Sequence, residues 1–230
     1  MFPDHASHYT TMPATKNKTS KRTYGGLSEE ERIQDRRERF LAAGLEIFGT
    51  LGIKGATVRA LCREAGLTER YFYESFSDTE ALFEAVYEQQ SNKLLEFYAS
   101  GLHHLPESVY DKTVAALNLL FTIMRNDRMV RILCLESVAA GSEIADKHHA
   151  KMQLYAEVSV QLIRTLYPNL TLPDDVLKGI AFSLNGACFT VVTHWMLGGY
   201  KESQEAVVNS SVLVVQGTMQ QLSILNQKNK

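Results

Sequence analysis

Three aromatic residues stand side by side in the stretch LTERYFYESF, residues 67–76. Successive helical residues point about 100° apart, so Tyr71, Phe72 and Tyr73 cannot all lie on one buried face. Phe72 and Phe76 are spaced i, i+4 and share a face, which we expect to be buried. The two tyrosines then lie on other faces of the helix and need a different explanation from the phenylalanines.

The outward surface of this helix has the chemistry of a DNA-reading element. We expect Glu69, Arg70, Tyr71 and Tyr73 to project away from the core. An arginine can pair bidentately with guanine in the major groove, and a tyrosine hydroxyl can donate to phosphate. The alternative is that Tyr71 and Tyr73 pack against neighbouring helices, as most aromatic residues do.

Histidines are the obvious candidates for acid–base or metal chemistry. The adjacent pairs His103–His104 and His148–His149 each point to different sides of a helix, and His194 stands alone. None has the i, i+4 spacing with a carboxylate that zinc hydrolases use, and there is no nucleophile elbow, glycine-rich phosphate loop or CxxC motif. We therefore expect no enzyme activity, no metal and no cofactor.

Whole-chain composition is that of an ordinary soluble protein and does not by itself indicate DNA binding. The 230 residues are 45% hydrophobic and 22% charged, with a net charge of −2 and a pI of about 6.4. Nucleic-acid-binding domains often exceed a pI of about 9, so a DNA-binding prediction must rest on local arrangement. The odd, widely spaced Cys62, Cys134 and Cys188 indicate reduced, buried thiols.

Helix start and stop signals place the aromatic stretch within a helix-turn-helix. Ser28 and Glu31 form a capping-box pattern at the start of a long first helix. Thr57 can N-cap a short second helix, Gly66 ends it, and Thr68 can N-cap the third. Two short helices joined by a glycine-containing turn are typical of a helix-turn-helix.

The rest of the chain also has helical periodicity. Ser77 and Glu80 predict a second capping box and a fourth helix over about 78–100. Further helices are expected at roughly 107–125, 127–140, 142–167, 174–199 and 202–225. With no sustained period-2 alternation, the fold is predicted to be all-α with about nine helices. We expect a disordered basic arm at 1–27, a helix-turn-helix domain at 28–76 and a second helical domain at 77–230.

Residues 179–200 contain no Asp, Glu, Lys or Arg. A segment of this length could span a bilayer. Polar residues interrupt it, however, and the lysines that flank it show no topological bias. A helix buried in protein on most sides is the prediction, with no membrane as a partner.

The stretch ATVRALCREAGLTERYFYESFSDTEALFEAV, residues 56–86, resembles the DNA-binding domain of the TetR family. The resemblance covers about residues 33–88. It implies a cytoplasmic homodimer whose third helices read the two halves of a palindromic operator. The DNA contacts that it implies are Thr57, Arg59, Thr68, Glu69, Arg70, Tyr71, Tyr73 and Ser75. Thr79 departs from the family, which often has a phosphate-contacting Lys at this position. The basic arm could compensate for the missing phosphate contact.

The same resemblance implies that the C-terminal domain senses a small molecule and forms the dimer. Small residues at helical spacing on the last two helices suit close helix approach between subunits; they are Gly179, Ser183, Gly186 or Ala187, Thr190, Ser210, Val214 and Gly217. Residues on apolar helix faces are predicted to line a ligand cavity; they are Phe121, Met124, Met152, Tyr155, Phe182, Asn185 and Phe189. Tyr155 and Asn185 could be polar anchors.

The function predicted from the sequence is ligand-responsive repression of transcription. A small, largely apolar molecule would release a homodimer from its DNA operator. The alternative is a ligand-independent, DNA-organising protein of the same fold, whose DNA affinity no metabolite would change. A helical enzyme is the least favoured of the three.

Overall fold

The computed structural model describes residues 28–102, 106, 108–139 and 142–228. Within these residues the chain forms nine helices and no strand, so the all-α prediction is confirmed. The predicted basic arm lies outside the described residues. Five helices form the first part of the chain: α1 (Glu29–Leu51), α2 (Val58–Ala65), α3 (Glu69–Ser75), α4 (Thr79–Leu102) and α5 (Val109–Ile123). A short 3₁₀ turn, Ile53–Gly55, joins α1 to α2.

The remaining helices lie where the sequence predicts them, with one irregularity. Helix α6 begins as Asp127–Val130, passes through a π-helical turn at Arg131–Glu136 and ends as Ser137–Ala139. Helices α7 (Ser142–Leu166), α8 (Asp174–Leu197) and α9 (Gln204–Lys228) follow. The sequence gives no sign of the π turn, a feature often found at functional sites.

Local capping explains where the first helices begin. The Ser28 side chain accepts the Glu31 N–H, and the Glu31 carboxylate accepts the Ser28 N–H, as the capping-box pattern predicts. The box predicted at Ser77 is wrong. Asp78 caps α4 instead, because its carboxylate accepts the Ala81 N–H at 2.8 Å and also a hydrogen bond from the Ser77 hydroxyl. An ionised carboxylate is the stronger acceptor at a helix N-terminus.

Two hydrophobic clusters hold the helices together. The larger one runs without a break from α1–α3 into the C-terminal helices, from Phe40 and Phe72 to Trp195 and Val212. The smaller one joins α7, α8 and α9 around Ile163. The helix-turn-helix therefore packs on the same core as the rest of the chain.

Helix α8 is the one described helix long and apolar enough to cross a membrane by length and composition. Only 22% of its most apolar window is buried within the chain. The prediction that this segment is buried in protein on most sides therefore fails for a single chain. Core helices and signal sequences pass the same test of length and composition, so the finding is weak support for a membrane span.

Candidate DNA-binding surface and ligand cavity

The third helix is held in place by a cluster of aromatic rings. Phe72 is fully buried, and its ring meets that of Phe40 edge-on at 5.4 Å between centroids. Phe76 packs edge-on against the same Phe40 ring at 6.4 Å. Edge-to-face aromatic pairs in a buried cluster define both position and rotation. The i, i+4 phenylalanines thus fix which face of α3 points outward.

The opposite face of α3 is open to solvent. Thr68, Glu69 and Arg70 are exposed, and the Arg70 side chain retains 83% of its accessible surface. The Thr68 hydroxyl makes no capping hydrogen bond and is available to a partner. Tyr73 is 60% exposed, and its ring leans on Phe72 at 5.4 Å. Glu69, Arg70 and Tyr73 thus point outward as the sequence predicts, and Thr68 lies beside them.

Tyr71 and Ser75 lie differently from their neighbours. Tyr71 is half-buried, and the Arg36 guanidinium stacks over its ring at 4.5 Å. The Ser75 hydroxyl donates to the Tyr71 carbonyl at 2.9 Å, and the Ser75 carbonyl accepts from Arg37 at 3.0 Å. Both residues therefore form the seam between α3 and α1, which is the packing alternative that the sequence left open for Tyr71.

The second helix adds two exposed residues to the same end of the molecule. Thr57 accepts the Ala60 N–H at 3.2 Å and caps α2, and Arg59 on its first turn is exposed. Lys54 and Arg63 are exposed as well. Local positive charge of this kind can attract a phosphate backbone even though the whole chain is slightly acidic.

Sequence reasoning missed the residue that secures the turn between α2 and α3. The Arg39 guanidinium donates to the Ala65 carbonyl at 2.7 and 3.1 Å and to the Gly66 carbonyl at 3.1 Å. Gly66 adopts φ +62°, a left-handed conformation that glycine takes at little cost. An arginine on a polar helix face gives no sequence signal of this role, because the carbonyls that it reaches are 26 and 27 residues away.

Polar contacts also tie the helix-turn-helix to the C-terminal helices. Arg128 of α6 forms a bidentate ion pair with Glu46 of α1. Glu136, in the π turn, accepts the Ile53 N–H at 3.0 Å and pairs with Arg131. Its carboxylate thus holds the turn that leads into α2. A rotation of α6 would therefore disturb the hydrogen bond that holds the turn before the second helix.

A cavity of about 140 Å³ lies among α4, α5, α7, α8 and α9. Most of its wall is apolar and consists of leucine, isoleucine, valine, alanine and methionine side chains. The polar or titratable wall residues are Tyr98, Lys112, Thr113, Tyr155, Ser159, Asn185 and Cys188. An apolar pocket with few polar groups is the usual form of a small-molecule site.

Three of the seven predicted ligand residues line this cavity: Tyr155, Asn185 and Phe189. Phe121 and Met124 are fully buried in the main core, where Phe121 packs against Trp195. Met152 is half-buried outside the cavity wall, and Phe182 is 38% exposed on the outer side of α8. Helical periodicity shows that a face is apolar, but not which neighbour covers it.

Hydrogen bonds at the cavity reach the connecting helix α4. The Tyr155 hydroxyl lies 2.8 Å from the hydroxyl of Ser91, which is fully buried on α4. Burial raises the pKa of Tyr155 to about 12 and that of Cys188 to about 11. Both groups are thus protonated near neutral pH. The Asn185 carbonyl oxygen accepts a hydrogen bond from Ser159 at 3.1 Å.

One side of α8 and α9 has no covering element among the described residues. On α8 the small residues Gly179, Ser183, Gly186 and Thr190 are exposed, and a side chain added at either glycine would meet open space. On α9, Leu213 and Val214 are 76% and 57% exposed. Contiguous apolar surface on neighbouring helices marks an interaction site.

Comparison with known proteins agrees with this geometry. Residues 40–86 match the family model of bacterial regulatory proteins of the tetR family. No curated protein sequence matches the chain.

Solved structures share the fold at low sequence identity. The fatty acid degradation regulator FadR from Bacillus halodurans superposes with a TM-score of 0.69 at 16% identity, over 79% of this chain and 95% of that one. FadR from Bacillus subtilis, in complex with stearoyl-CoA, gives 0.66 at 14%, over 77% and 96%. A TetR-like transcriptional regulator from Rhodococcus sp. RHA1 gives 0.61 at 15%, over 77% and 91%. Residues 40–86 therefore match the tetR family of bacterial regulatory proteins, and the chain shares the fold of these solved structures.

Proposed function

We propose that this protein is a cytoplasmic transcriptional repressor that binds a palindromic DNA operator as a homodimer and is released by a small, largely apolar molecule. The observation that carries the proposal is the outward face of α3. Thr68, Glu69, Arg70 and Tyr73 are exposed there on a helix whose rotation is fixed by buried phenylalanines. A rigid helix with an exposed arginine is what direct readout in the major groove requires.

Dimerisation is supported by the uncovered side of α8 and α9. An apolar helix that crosses no membrane must bury its exposed face against protein, and a second copy of the chain supplies a self-complementary surface. Two helices from each subunit would form a four-helix interface. The absence of Asp, Glu, Lys and Arg from residues 179–197 of α8 then reflects an interface between subunits.

Ligand sensing is supported by the cavity and by its hydrogen bond to α4. A molecule that binds between α7 and α8 contacts Tyr155, whose hydroxyl bonds to Ser91 on the helix that leads into the DNA-binding domain. The Bacillus subtilis regulator of this fold is in complex with stearoyl-CoA, whose acyl chain is apolar, which favours a ligand with an apolar chain here.

Selection of binding sites from a random duplex library tests the DNA-binding proposal. We expect one enriched palindrome whose half-site centres lie about one helical turn, or a multiple of it, apart. Tyr73→Phe should weaken binding to good and poor sites by a similar factor, because a phosphate contact carries no base information. A library that shows no enrichment after several rounds would refute the proposal.

A further inference from the structure

The polar groups of the cavity wall include several hydrogen-bond donors but no carboxylate. Tyr98, Lys112 and Asn185 all lie on the wall and can donate hydrogen bonds, whereas no Asp or Glu is among the lining residues. Hydrogen-bond donors that line an apolar cavity select a ligand group that accepts hydrogen bonds. The cavity therefore discriminates by polarity as well as by shape.

Only one of the two polar atoms in the Asn185 side-chain amide has a hydrogen-bond partner. Its Oδ1 accepts from Ser159, but its buried Nδ2 has no hydrogen-bond partner among the described residues. A buried donor without a partner costs about 1–3 kcal/mol. A ligand oxygen at this position would recover that cost, so the cavity is already arranged for an acceptor.

Lys112 and Tyr98 extend this donor set. Lys112 is half-buried on the first turn of α5, and its ammonium makes no ion pair with any described residue. The Tyr98 hydroxyl likewise has no hydrogen-bond partner among the described residues, and burial raises its pKa to about 12. It is therefore a neutral donor. With one lysine and no carboxylate, the wall carries a net positive charge near neutral pH.

Lys112 and Asn185 lie on different helices of the cavity wall, α5 and α8. Val109, one helical turn before Lys112, packs against the α7–α9 cluster, as do Leu166 and Leu184. Asn185 bonds to Ser159 on α7. The wall also contains leucines on α4, α5, α7 and α8, which suit an extended hydrocarbon chain.

We infer that the cavity binds a linear amphipathic anion whose carboxylate lies at Lys112, whose chain follows the leucines, and whose far end offers an acceptor oxygen to Asn185. This inference rests on the proposed ligand-sensing function and names the ligand class. A cavity of about 140 Å³ matches one that holds a benzene ring, so a longer chain must displace the wall. Leu94, Leu95 and Tyr98 belong to α4, and the displacement therefore acts on the helix that leads to the DNA-binding domain.

Three ten-carbon probes test the charge preference. Decanoate, decan-1-ol and decylamine share a chain and differ in the head group, and each is titrated into the full-length protein while its melting temperature is followed. Ligands that bind the folded state raise this temperature. We expect decanoate to bind about tenfold or more tightly than decan-1-ol, because a hydrogen bond to a charged group contributes more than a neutral one. Decylamine should bind least.

Substitution of Lys112 tests whether this lysine causes the preference for decanoate over decan-1-ol. Lys112→Met should remove the advantage of decanoate over decan-1-ol while leaving decan-1-ol binding unchanged. Lys93→Met is the matched control, since Lys93 is an exposed lysine on α4 outside the cavity wall; it should keep the advantage. Equal binding of decanoate and decylamine by the parent protein, or an unchanged preference in Lys112→Met, would overturn the inference.

The role of Asn185 is tested with a second pair of probes. Decanoate is compared with the same acid carrying a ketone next to its terminal methyl group. The parent protein should prefer the keto acid, and Asn185→Leu should reverse this preference, because leucine offers no donor. The variant should also melt at a higher temperature without ligand, since a buried unpartnered N–H is removed. A keto preference that survives the substitution would overturn this assignment.

Failure of this inference is distinguishable from failure of the proposed function. Affinity for the selected operator is measured on the ligand-free protein, where the probes play no part. If the operator binds but no probe raises the melting temperature, the ligand class is wrong and the DNA-binding function stands. If no operator is found, the proposed function fails whatever the probes do.

Discussion

Removing the Arg70 side chain should abolish one element of sequence recognition while leaving the fold intact. The Arg70 side chain is 83% exposed, and its one ion pair among the described residues joins it to Glu74 on the next helical turn, at 2.9 Å. An exposed i, i+4 pair contributes about 0.3–0.5 kcal/mol, so Arg70→Ala should change the free energy of unfolding by no more than this. The effect on DNA binding should be much larger.

The size of that effect follows from the contact proposed for Arg70. A bidentate arginine–guanine pair contributes about 1–3 kcal/mol of discrimination, and a homodimer on a symmetric operator loses two of them. The total of about 2–6 kcal/mol corresponds to a fall in affinity of at least about 30-fold, since 1.4 kcal/mol is tenfold. Arg164→Ala is the matched control, because it removes the same charge from a surface ion pair with Asp174 in the C-terminal domain.

A double-mutant cycle between protein and operator is the assay. Fluorescence anisotropy gives the affinity of the parent and of Arg70→Ala for the selected operator and for operators with each guanine replaced in turn. At the contacted guanine, replacement should weaken the parent strongly and should not weaken the variant further. The reasoning is refuted if the variant discriminates among all the operators as the parent does, because Arg70 would then read no base.

Three further changes test other parts of the structure. Phe72→Ala should lower the free energy of unfolding by about 3–5 kcal/mol, measured by urea denaturation, because it empties a fully buried ring site; a loss below about 1 kcal/mol would contradict the packing described. Leu213→Glu should convert a dimer to monomers in sedimentation velocity, since it places a charge in the proposed interface; an unchanged sedimentation coefficient would exclude this face. Burial lowers the pKa of His148, so the unfolded chain binds a proton more readily and stability should fall as the pH drops below about 6.5. His148→Gln should flatten this dependence, and an identical pH profile would rule His148 out as its source.

Local signals account for what the sequence predicts well. Capping residues and glycines mark helix ends because they satisfy backbone groups within a few residues, so Ser28, Thr57 and Gly66 appear where predicted. The inward direction of Phe72 and Phe76 follows from their i, i+4 spacing alone. Asp78 shows the limit of such reasoning, since two adjacent capping residues compete for the same N–H groups.

Contacts between residues that are remote in the chain determine the features that the sequence does not predict. Tyr71 turns toward α1 because Arg36, remote in sequence, stacks over its ring. The π turn that brings Glu136 to Ile53 has no marker in the residues that form it. The cavity includes Lys112, which a search for apolar faces passes over. It excludes Phe121, because that apolar side chain is buried in the main core instead.

Thermodynamic linkage between ligand and operator tests the central claim most directly. The affinity of the protein for its selected operator is measured with and without saturating decanoate, and the affinity for decanoate is measured with and without operator. A ligand-responsive repressor must show both affinities weakened by the same factor, because coupling between two sites is reciprocal. We predict a factor of about 5–150, the usual range of such coupling. Decanoate binding that leaves the operator affinity unchanged would contradict the account and favour a ligand-independent DNA-binding protein.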